Sequence, residues 1–331
     1  MSLRICVIGC GSIANAMHGP SYLKYADVNR EAVFAGCCDV IAERAADFKS
    51  RFGFANAYTD MDEMITREKP DAVCLISPVF MTAELAGKIL DMRIPLLLEK
   101  PPGRTTEETM RLINIAERNK TPNRVAFNRR YAPLVRTLKG MLDEGYTPDQ
   151  IQSLQYDMFR VNRLDEDFST TAIHAIDAVR FIMGSDYESI CFFYREYPQY
   201  GNNVADIHMQ CKMKSGAAAN LNICPVTGLN VERAVVNLYN NTFFLDYLGN
   251  EMYAAGRLVK TEGNHITFSL DGDHTPDGTQ PFEREGFYYE NMSFFNDIMN
   301  GRTPSGDLGT ALQSVEVAQC IRDRQREYIS L

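Results

Sequence analysis

The segment that most constrains the fold is residues 3–14, which read LRICVIGCGSIA. An apolar, β-branched run leads directly into the pattern G-x-G-x-x-A, and a helix-like stretch follows. In a dinucleotide-binding turn, the first glycine permits the tight turn and the second lets the backbone approach a pyrophosphate. The following helix N-terminus offers N–H groups to the phosphates. The alternative is a glycine turn without a ligand. We predict a cofactor contact from four residues: Gly9, Gly11, Ser12 and Ile13.

The first 125 residues alternate strand and helix patterns. Short runs that are apolar throughout, separated by amphipathic helices, are typical of a parallel sheet covered on both faces. The predicted strands are Leu3–Ile8, Ala32–Cys38, Ala72–Ile76, Pro95–Leu98 and Arg124–Phe127. The predicted helices are Ile41–Phe52, Met61–Arg67, Ala83–Met92 and Thr105–Arg118, with a first helix broken at Gly19-Pro20. We therefore predict a doubly wound Rossmann domain over residues 1–125.

The pattern changes near residue 128, and longer strands with a period of two follow. In Asp206–Met213 the apolar and polar residues alternate, which indicates a sheet with one wetter face. The other predicted strands are Ser153–Val161, Ala217–Ile223, Glu232–Tyr239, Thr242–Tyr247 and Leu258–Thr261, and the predicted helices are Leu134–Leu142, Thr170–Met183, Tyr288–Met299 and Leu308–Arg324. We interpret Gly263–Pro281 as a surface loop. The predicted class is α/β: a Rossmann domain, then a second α/β domain over residues 126–331 with a large, mostly antiparallel open-faced sheet.

Composition excludes several functions for this 331-residue chain. The formal net charge is −9, which leaves no basic footprint for nucleic acid or an anionic membrane. No apolar run approaches the ~18 residues that a membrane span needs. Nine cysteines without metal-ligand spacing indicate reduced, packed thiols, a cytoplasmic location and no metal site.

Asp39 ends the second predicted strand, 28 residues after Gly11. A carboxylate there can accept hydrogen bonds from a ribose diol and would repel a 2′-phosphate. No arginine or lysine follows it immediately, so the predicted cofactor is NAD rather than NADP. The alternative role for Asp39 is to cap the next helix, and the two roles are compatible.

Two further patterns carry candidate chemistry. Lys100 lies at the carboxyl end of a predicted central strand, the edge where open α/β sheets bind ligands. His174 and Asp177 are three residues apart, so they share a helix face and the carboxylate can orient the ring of a general base. The alternatives are a solvated lysine at a strand end and a core histidine.

Taken in order, these motifs resemble the glucose-fructose oxidoreductase/inositol dehydrogenase (Gfo/Idh/MocA) family over nearly the whole chain. The resemblance rests on the glycine motif, Asp39, Ser77-Pro78, Glu99-Lys100-Pro101, Asn128-Arg129-Arg130-Tyr131 and His174-x-x-Asp177. It implies an NAD(P)-dependent oxidoreductase of a sugar, cyclitol or polyol, often with a cis Lys100–Pro101 peptide. It also implies a homodimer or homotetramer formed through the open sheet.

The resemblance assigns Lys100 to bridging substrate and cofactor and His174 to acid/base catalysis, and we add Asp177 as its catalytic partner. Further cofactor contacts are predicted from Asp39, Ser77, Pro78, Glu99, Lys100 and Asn128. Substrate contacts are predicted from Lys100, Arg129, Tyr131, Thr170 and His174. Arg130, Arg160 and Arg163 are either further substrate contacts or ordinary surface and interdomain residues.

The chain departs from the family pattern at Thr170, where many relatives carry aspartate. Threonine cannot supply a carboxylate to raise the base strength of His174. This leaves two alternatives to a dehydrogenase: a catalytically silent NAD-binding regulator or scaffold, and an NAD-mediated glycoside-cleaving enzyme.

Overall fold

The fold was analysed in a computed structural model that describes residues 2–248, 256–275 and 278–330. The strands are β1 Leu3–Ile8, β2 Ala32–Cys38, β3 Asn56–Tyr58, β4 Ala72–Leu75, β5 Leu96–Glu99, β6 Asn123–Ala126, β7 Ile151–Phe159, β8 Tyr187–Glu196, β9 Ala205–Met213, β10 Ala218–Cys224, β11 Val231–Leu238, β12 Asn241–Asp246, β13 Arg257–Glu262, β14 His265–Asp271 and β15 Glu327–Ile329. The α-helices are α1 Gly19–Val28, α2 Ala42–Phe52, α3 Met61–Glu68, α4 Val79–Asp91, α5 Thr106–Asn119, α6 Pro133–Gly145, α7 Ser169–Met183, α8 Pro281–Arg284, α9 Phe287–Met299 and α10 Leu308–Arg322.

The backbone forms two compact units, and each of them is discontinuous in sequence. The first unit comprises residues 1–128 and 281–315, and the second comprises residues 129–280 and 316–331. The predicted domain boundary between residues 125 and 126 stays a prediction.

The first unit contains the predicted doubly wound sheet, with six parallel strands in the order β3-β2-β1-β4-β5-β6. The central strands are buried on both faces because helices cover them, which explains their continuous apolar sequence. Arg124 is fully buried on β6 and donates to the backbone oxygens of Glu290 and Ser305 and to the Asp297 carboxylate. Residues 281–315 are therefore part of this unit.

The first helix is continuous where a break was predicted. A π-helical turn at Ala14–His18 passes directly into α1, whose second residue is Pro20. A proline lacks the N–H that an α-helical hydrogen bond needs, and a wider π turn is one way in which a helix accommodates this. The predicted break at Gly19-Pro20 is therefore wrong.

The second unit contains nine strands in the order β14-β13-β12-β11-β7-β10-β9-β8-β15. All neighbouring strands are antiparallel except β7 and β10, which are parallel. Helices α6 and α7 pack on one face of this sheet. On β9 the residues Ile207, Met209, Cys211 and Met213 are buried and the residues between them are partly or fully exposed, which confirms the predicted alternation.

Part of the predicted loop Gly263–Pro281 is the strand β14. Gly263 and Asn264 both have positive φ and form the two-residue turn between β13 and β14. The loop prediction is therefore wrong for His265–Asp271, and residues 276–277 of the same stretch lie outside the described residues. In the part of the chain that the structure describes, no helix has the length and apolar character to cross a bilayer.

Candidate functional site

The glycine turn lies between β1 and the first helix, as predicted. Gly9 has φ +98°, and a Cβ at this position would lie 2.0 Å from the backbone oxygen of Ile76. Any other residue would therefore displace the end of β4. A Cβ on Gly11 would meet no protein atom within 4 Å, so its surroundings are open. The turn thus has one glycine that the fold requires and one beside which a ligand has room.

Asp39 ties the end of β2 to this turn. Its Oδ2 accepts from the backbone N–H of Cys10 at 2.9 Å, and its Oδ1 accepts from that of Ile41, also at 2.9 Å. The second contact is a local turn before α2 rather than a side-chain cap of that helix. Each carboxylate oxygen has two lone pairs, so this half-buried side chain retains acceptor capacity for a hydroxyl pair.

The helix after β4 begins four residues earlier than predicted, directly after Ser77 and Pro78. Ser77 contacts the buried Thr82 through their hydroxyl oxygens, 2.9 Å apart. Phe80 is 72% exposed in this first helical turn. Ile13, in the first helical turn after β1, and Val40, directly after β2, are exposed as well, so exposed apolar side chains follow three strands of the sheet as an apolar rim. Such a rim suits the flat rings of a dinucleotide.

Glu99 and Lys100 end β5, and the Lys100–Pro101 peptide is cis, as the resemblance implied. Oε2 of Glu99 accepts from the backbone N–H of Lys100 at 3.1 Å, and Oε1 lies 3.0 Å from Nε2 of the buried His18. An ionised carboxylate only accepts hydrogen bonds, so the proton of His18 lies on Nε2. The amide nitrogen of Asn291 lies 3.2 Å from the other ring nitrogen of His18. Glu99 thus joins a buried network to the backbone of the candidate lysine.

The ionisation of Glu99 reflects two opposing effects. Burial by itself raises the pKa of this carboxyl group. The hydrogen bond from His18 and the nearby positive charge of Lys100 outweigh burial, and the pKa lies below its ordinary value. Glu99 is therefore negatively charged at neutral pH.

Asn128 is buried, and its amide donates to the backbone oxygen of Glu285 at 2.9 Å. This bond fixes the residue within the first unit. Its predicted cofactor contact stays a prediction.

In the second unit, a buried ionic cluster surrounds Glu232, which is fully inaccessible to solvent on β11. Arg129 donates to both carboxylate oxygens at 3.2 Å, and Tyr156 donates its hydroxyl to Oε1 at 3.0 Å. Arg160 binds the same carboxylate. Burial would raise the pKa of Glu232, but the charges of Arg129 and Arg160 lower it to about 2.

His174 lies on the buried helix α7 and joins this cluster. Its Nε2 is 3.4 Å from Nη1 of Arg129. Asp177, one turn along, binds Arg130 through both carboxylate oxygens at 2.6 and 2.7 Å. The structure therefore brings Asp177 to Arg130, and its predicted role beside His174 stays a prediction.

The remaining predicted substrate residues lie near the same cluster along the chain. Tyr131 is half-buried in the short helical turn that carries Arg129 and Arg130. Thr170, at the start of α7, donates its hydroxyl to the backbone oxygen of Asp167 at 3.0 Å. Arg163 donates to Thr171 and pairs with Asp165.

Four residues of these networks were missed from the sequence: His18, Asn291, Tyr156 and Glu232. Glu232 had a detectable signal, because it shares the buried face of β11 with Ala234 and Val236. An acidic residue in the apolar register of a strand is costly without partners. Its arginine partners Arg129 and Arg160 are 103 and 72 residues away in sequence, and no spacing rule predicts these pairings.

The fold and the glycine turn define a Rossmann-type dinucleotide-binding unit together with a second unit that contains a large sheet. Comparison with known proteins supports this assignment. Residues 3–127 match the Gfo/Idh/MocA family model, described as an oxidoreductase family with an NAD-binding Rossmann fold.

Over nearly its whole length, the chain is 21% identical to inositol 2-dehydrogenase of Salmonella typhimurium, covering 98% of this chain and 95% of that protein. It is 27% identical to D-glucoside 3-dehydrogenase of Escherichia coli over 43% of this chain and 40% of that protein. A solved structure of levoglucosan dehydrogenase with NADH matches in fold, with a TM-score of 0.83, 17% identity and 99% of both chains covered. These matches confirm the predicted resemblance to the Gfo/Idh/MocA family.

Proposed function

We propose that this protein is an NAD-dependent dehydrogenase that oxidises a CH–OH group of a sugar, cyclitol or related polyol. The observation that carries the proposal is the glycine turn, whose backbone N–H is held by the Asp39 carboxylate at 2.9 Å. The names of the relatives support the substrate class, since they include inositol, glucoside and levoglucosan dehydrogenases.

Cofactor choice follows from charge. The Asp39 carboxylate can accept from both hydroxyls of an adenosine ribose and would repel a 2′-phosphate. The open space beside Gly11 admits a pyrophosphate, and the N-terminus of the first helix supplies N–H donors. NAD is therefore preferred over NADP in this proposal.

The chemistry assigned to the chain is proton transfer and orientation. When bound, the nicotinamide accepts the hydride that leaves the substrate carbon. His174 takes the hydroxyl proton at Nε2, and Lys100 donates a hydrogen bond to the same substrate oxygen. Oxidation then converts CH–OH to C=O, with the hydride and the proton accounted for. Arg129, Tyr131 and Thr170 are proposed to bind the other hydroxyls of the substrate.

The first test is a fluorescence titration with NADH and NADPH on the wild type and on Asp39→Ala. We expect preference for NADH and at least tenfold weaker NADH binding by Asp39→Ala. Turnover of a panel of polyols and sugars with NAD⁺ follows, with Lys100→Met as the inactive variant that still binds NADH. Absence of binding by either cofactor would remove the basis of the proposal.

One observation keeps the silent regulator as a second candidate. The Thr170 hydroxyl is engaged with a backbone oxygen, and no carboxylate stands at this position to assist His174. Binding of NADH with no isotope exchange between labelled NADH and any substrate of the panel would favour this candidate. Glycoside turnover without net NADH formation would instead favour NAD-mediated cleavage.

The proposed homo-oligomer has a physical basis on the face of the second sheet that α6 and α7 leave uncovered. Registered neighbours form one row across this face, from β9 to β14: His208, Asn222, Asp157, Arg233, Asp246, Arg257 and Asp271. From Asp157 onward the charges alternate in sign. In the adjacent row, the half-buried Val235 lies beside the exposed Phe244.

An alternating row of charges is self-complementary. A two-fold axis that runs between β11 and β12, parallel to the strands, would bring Arg233 opposite Asp246 of a second copy. It would also lay Phe244 on Val235 of that copy. We therefore propose a symmetric dimer through this face, since isologous interfaces pair each surface with itself.

The dimer is tested by light scattering after size-exclusion chromatography. We expect Arg233→Asp to dissociate it through like charges, and the swap Arg233→Asp with Asp246→Arg to restore it. A monomeric wild type, or a single variant with unchanged mass, would contradict this arrangement.

Nine free thiols, eight of them buried, suit a reducing compartment, and we propose the cytoplasm.

A further inference from the structure

The buried carboxylate of Glu232 organises the cluster that contains His174. It accepts hydrogen bonds from Arg129, Arg160 and Tyr156, which come from two different segments of the second unit. Arg129 uses Nε and Nη2 for this contact and directs Nη1 to His174. One side chain thus connects a fully buried anion to the candidate base.

The contact between Arg129 and His174 specifies where the imidazole carries its proton. A guanidinium has only N–H donors and no acceptor. At 3.4 Å from Nη1, Nε2 of His174 can interact favourably only as an acceptor, without a proton. The proton of the neutral ring therefore lies on Nδ1. A second proton on Nε2 would meet the positive charge of Arg129 directly.

The charges of the cluster act in opposite directions on the protonation of His174. The two arginines disfavour an imidazolium, whereas the Glu232 carboxylate favours it and also holds Arg129 in place. Other titratable or charged side chains flank the cluster. They include Arg130 beside Arg129, Arg163 after β7, Tyr247 after β12, and Asp177 on α7 itself.

We propose that Arg129 and Glu232 are positioning residues that set the protonation of His174. Arg129 keeps Nε2 unprotonated as the acceptor of the substrate proton, and Glu232 holds Arg129 in place and offsets part of its charge. This inference rests on the proposed dehydrogenase function. In this proposal, the protonation of His174 is controlled by the charges of Arg129 and Glu232, which are distant from it in sequence. A carboxylate at position 170 would act in the opposite sense, by favouring the charged ring. With Thr170 there, the base stays unprotonated and therefore active to lower pH.

The experiment is the pH profile of kcat/KM for two charge-removing variants with opposite expected shifts. Glu232→Gln removes the balancing anion, so the acidic limb moves to lower pH by about one pH unit. Arg129→Gln removes the cation at Nε2, so the limb moves to higher pH by a similar amount. Arg129→Lys keeps the charge and should retain a limb close to that of the wild type.

A matched control distinguishes this effect from general loss of a buried ion pair. Glu68 is a buried carboxylate of the first unit, bound by Arg4 and Tyr58. Glu68→Gln should lower stability without moving the limb. If Glu232→Gln fails to fold, Tyr156→Phe is the substitute, because it removes one donor to the same carboxylate. Tyr156→Phe should move the acidic limb of the pH profile by less than the shift expected for Glu232→Gln. Shifts of Glu232→Gln and Arg129→Gln in the same direction, or no shift, would overturn the proposal.

A measurement that requires no catalytic turnover tests this inference independently of the proposed dehydrogenase function. The chain has five histidines, and ring-labelled NMR spectra of His174→Gln identify the signal of His174. Its titration should move in opposite directions in Glu232→Gln and Arg129→Gln. If the wild type turns over no polyol or sugar, the proposed function fails, and this titration alone decides the role of Arg129 and Glu232.

Discussion

Alanine at Gly11 separates the binding role of the glycine turn from its folding role, because Gly9 two residues earlier has the opposite surroundings. Gly11 has an ordinary backbone conformation, and its new Cβ would meet no protein atom within 4 Å. We expect the free energy of unfolding of Gly11→Ala to stay within about 0.5 kcal/mol of the wild type. NADH affinity should fall at least tenfold, about 1.4 kcal/mol, because the methyl group occupies the space proposed for the pyrophosphate.

Gly9→Ala is the matched comparison. The left-handed conformation costs a residue with a Cβ about 1–2 kcal/mol. In addition, the Cβ would lie 2.0 Å from the backbone oxygen of Ile76, so the end of β4 must move. We expect a loss of at least about 3 kcal/mol in stability, together with loss of binding.

The assays are urea unfolding followed by circular dichroism and NADH fluorescence titration on the same preparations. Wild-type affinity in a folded Gly11→Ala variant would refute the placement of the pyrophosphate beside this turn. Wild-type stability in Gly9→Ala would refute the steric reasoning about β4.

Three other outcomes are expected. Arg124→Met should lower the free energy of unfolding, measured in urea, by about 3 kcal/mol. The reason is that the backbone oxygen of Glu290 and the Asp297 carboxylate lose their buried donor. A loss under about 1 kcal/mol would contradict this. His18→Leu should lower kcat about tenfold with little change in NADH affinity, since Glu99 loses the donor that orients it beside Lys100; unchanged kcat would exclude that role. Glu232 has a pKa of about 2, below its ordinary 4.5, so its stabilisation is complete above pH 4.5 and is lost as pH falls toward 2. Acid titration of stability should therefore be steeper over this window in the wild type than in Glu232→Gln.

Local patterns predicted the first unit well because each element is specified by adjacent residues. Both β1 and β2 have the predicted bounds, since an apolar run between turn residues has few alternatives. The start of α4 was missed because Phe80 and Met81 are exposed there, so the apolar period begins only at Ala83.

The errors in the second unit have equally specific causes. The strand β14 lies at a sheet edge and buries none of its side chains. Its alternation of Ile266, Phe268 and Leu270 with polar residues was overlooked because the whole stretch 263–281 is rich in Gly, Asp, His and Thr. The adjacent Gly263 and Asn264 carried the hairpin signal that would have revealed it. The cluster around Glu232 could not be predicted, because its partners meet only once β7 and β11 are paired.

The burial of Arg124 bears on how this protein can be recombined with its relatives. A gene fragment that ends at residue 125 would carry a guanidinium whose partners, at residues 290, 297 and 305, are encoded far downstream. The edge strand β6 would also lose the backbone bond from Val125 to Gly306. A chimaera that exchanges the cofactor-binding unit therefore needs two segments from the same parent, residues 1–128 and 281–315. A single crossover near residue 125 should yield insoluble protein.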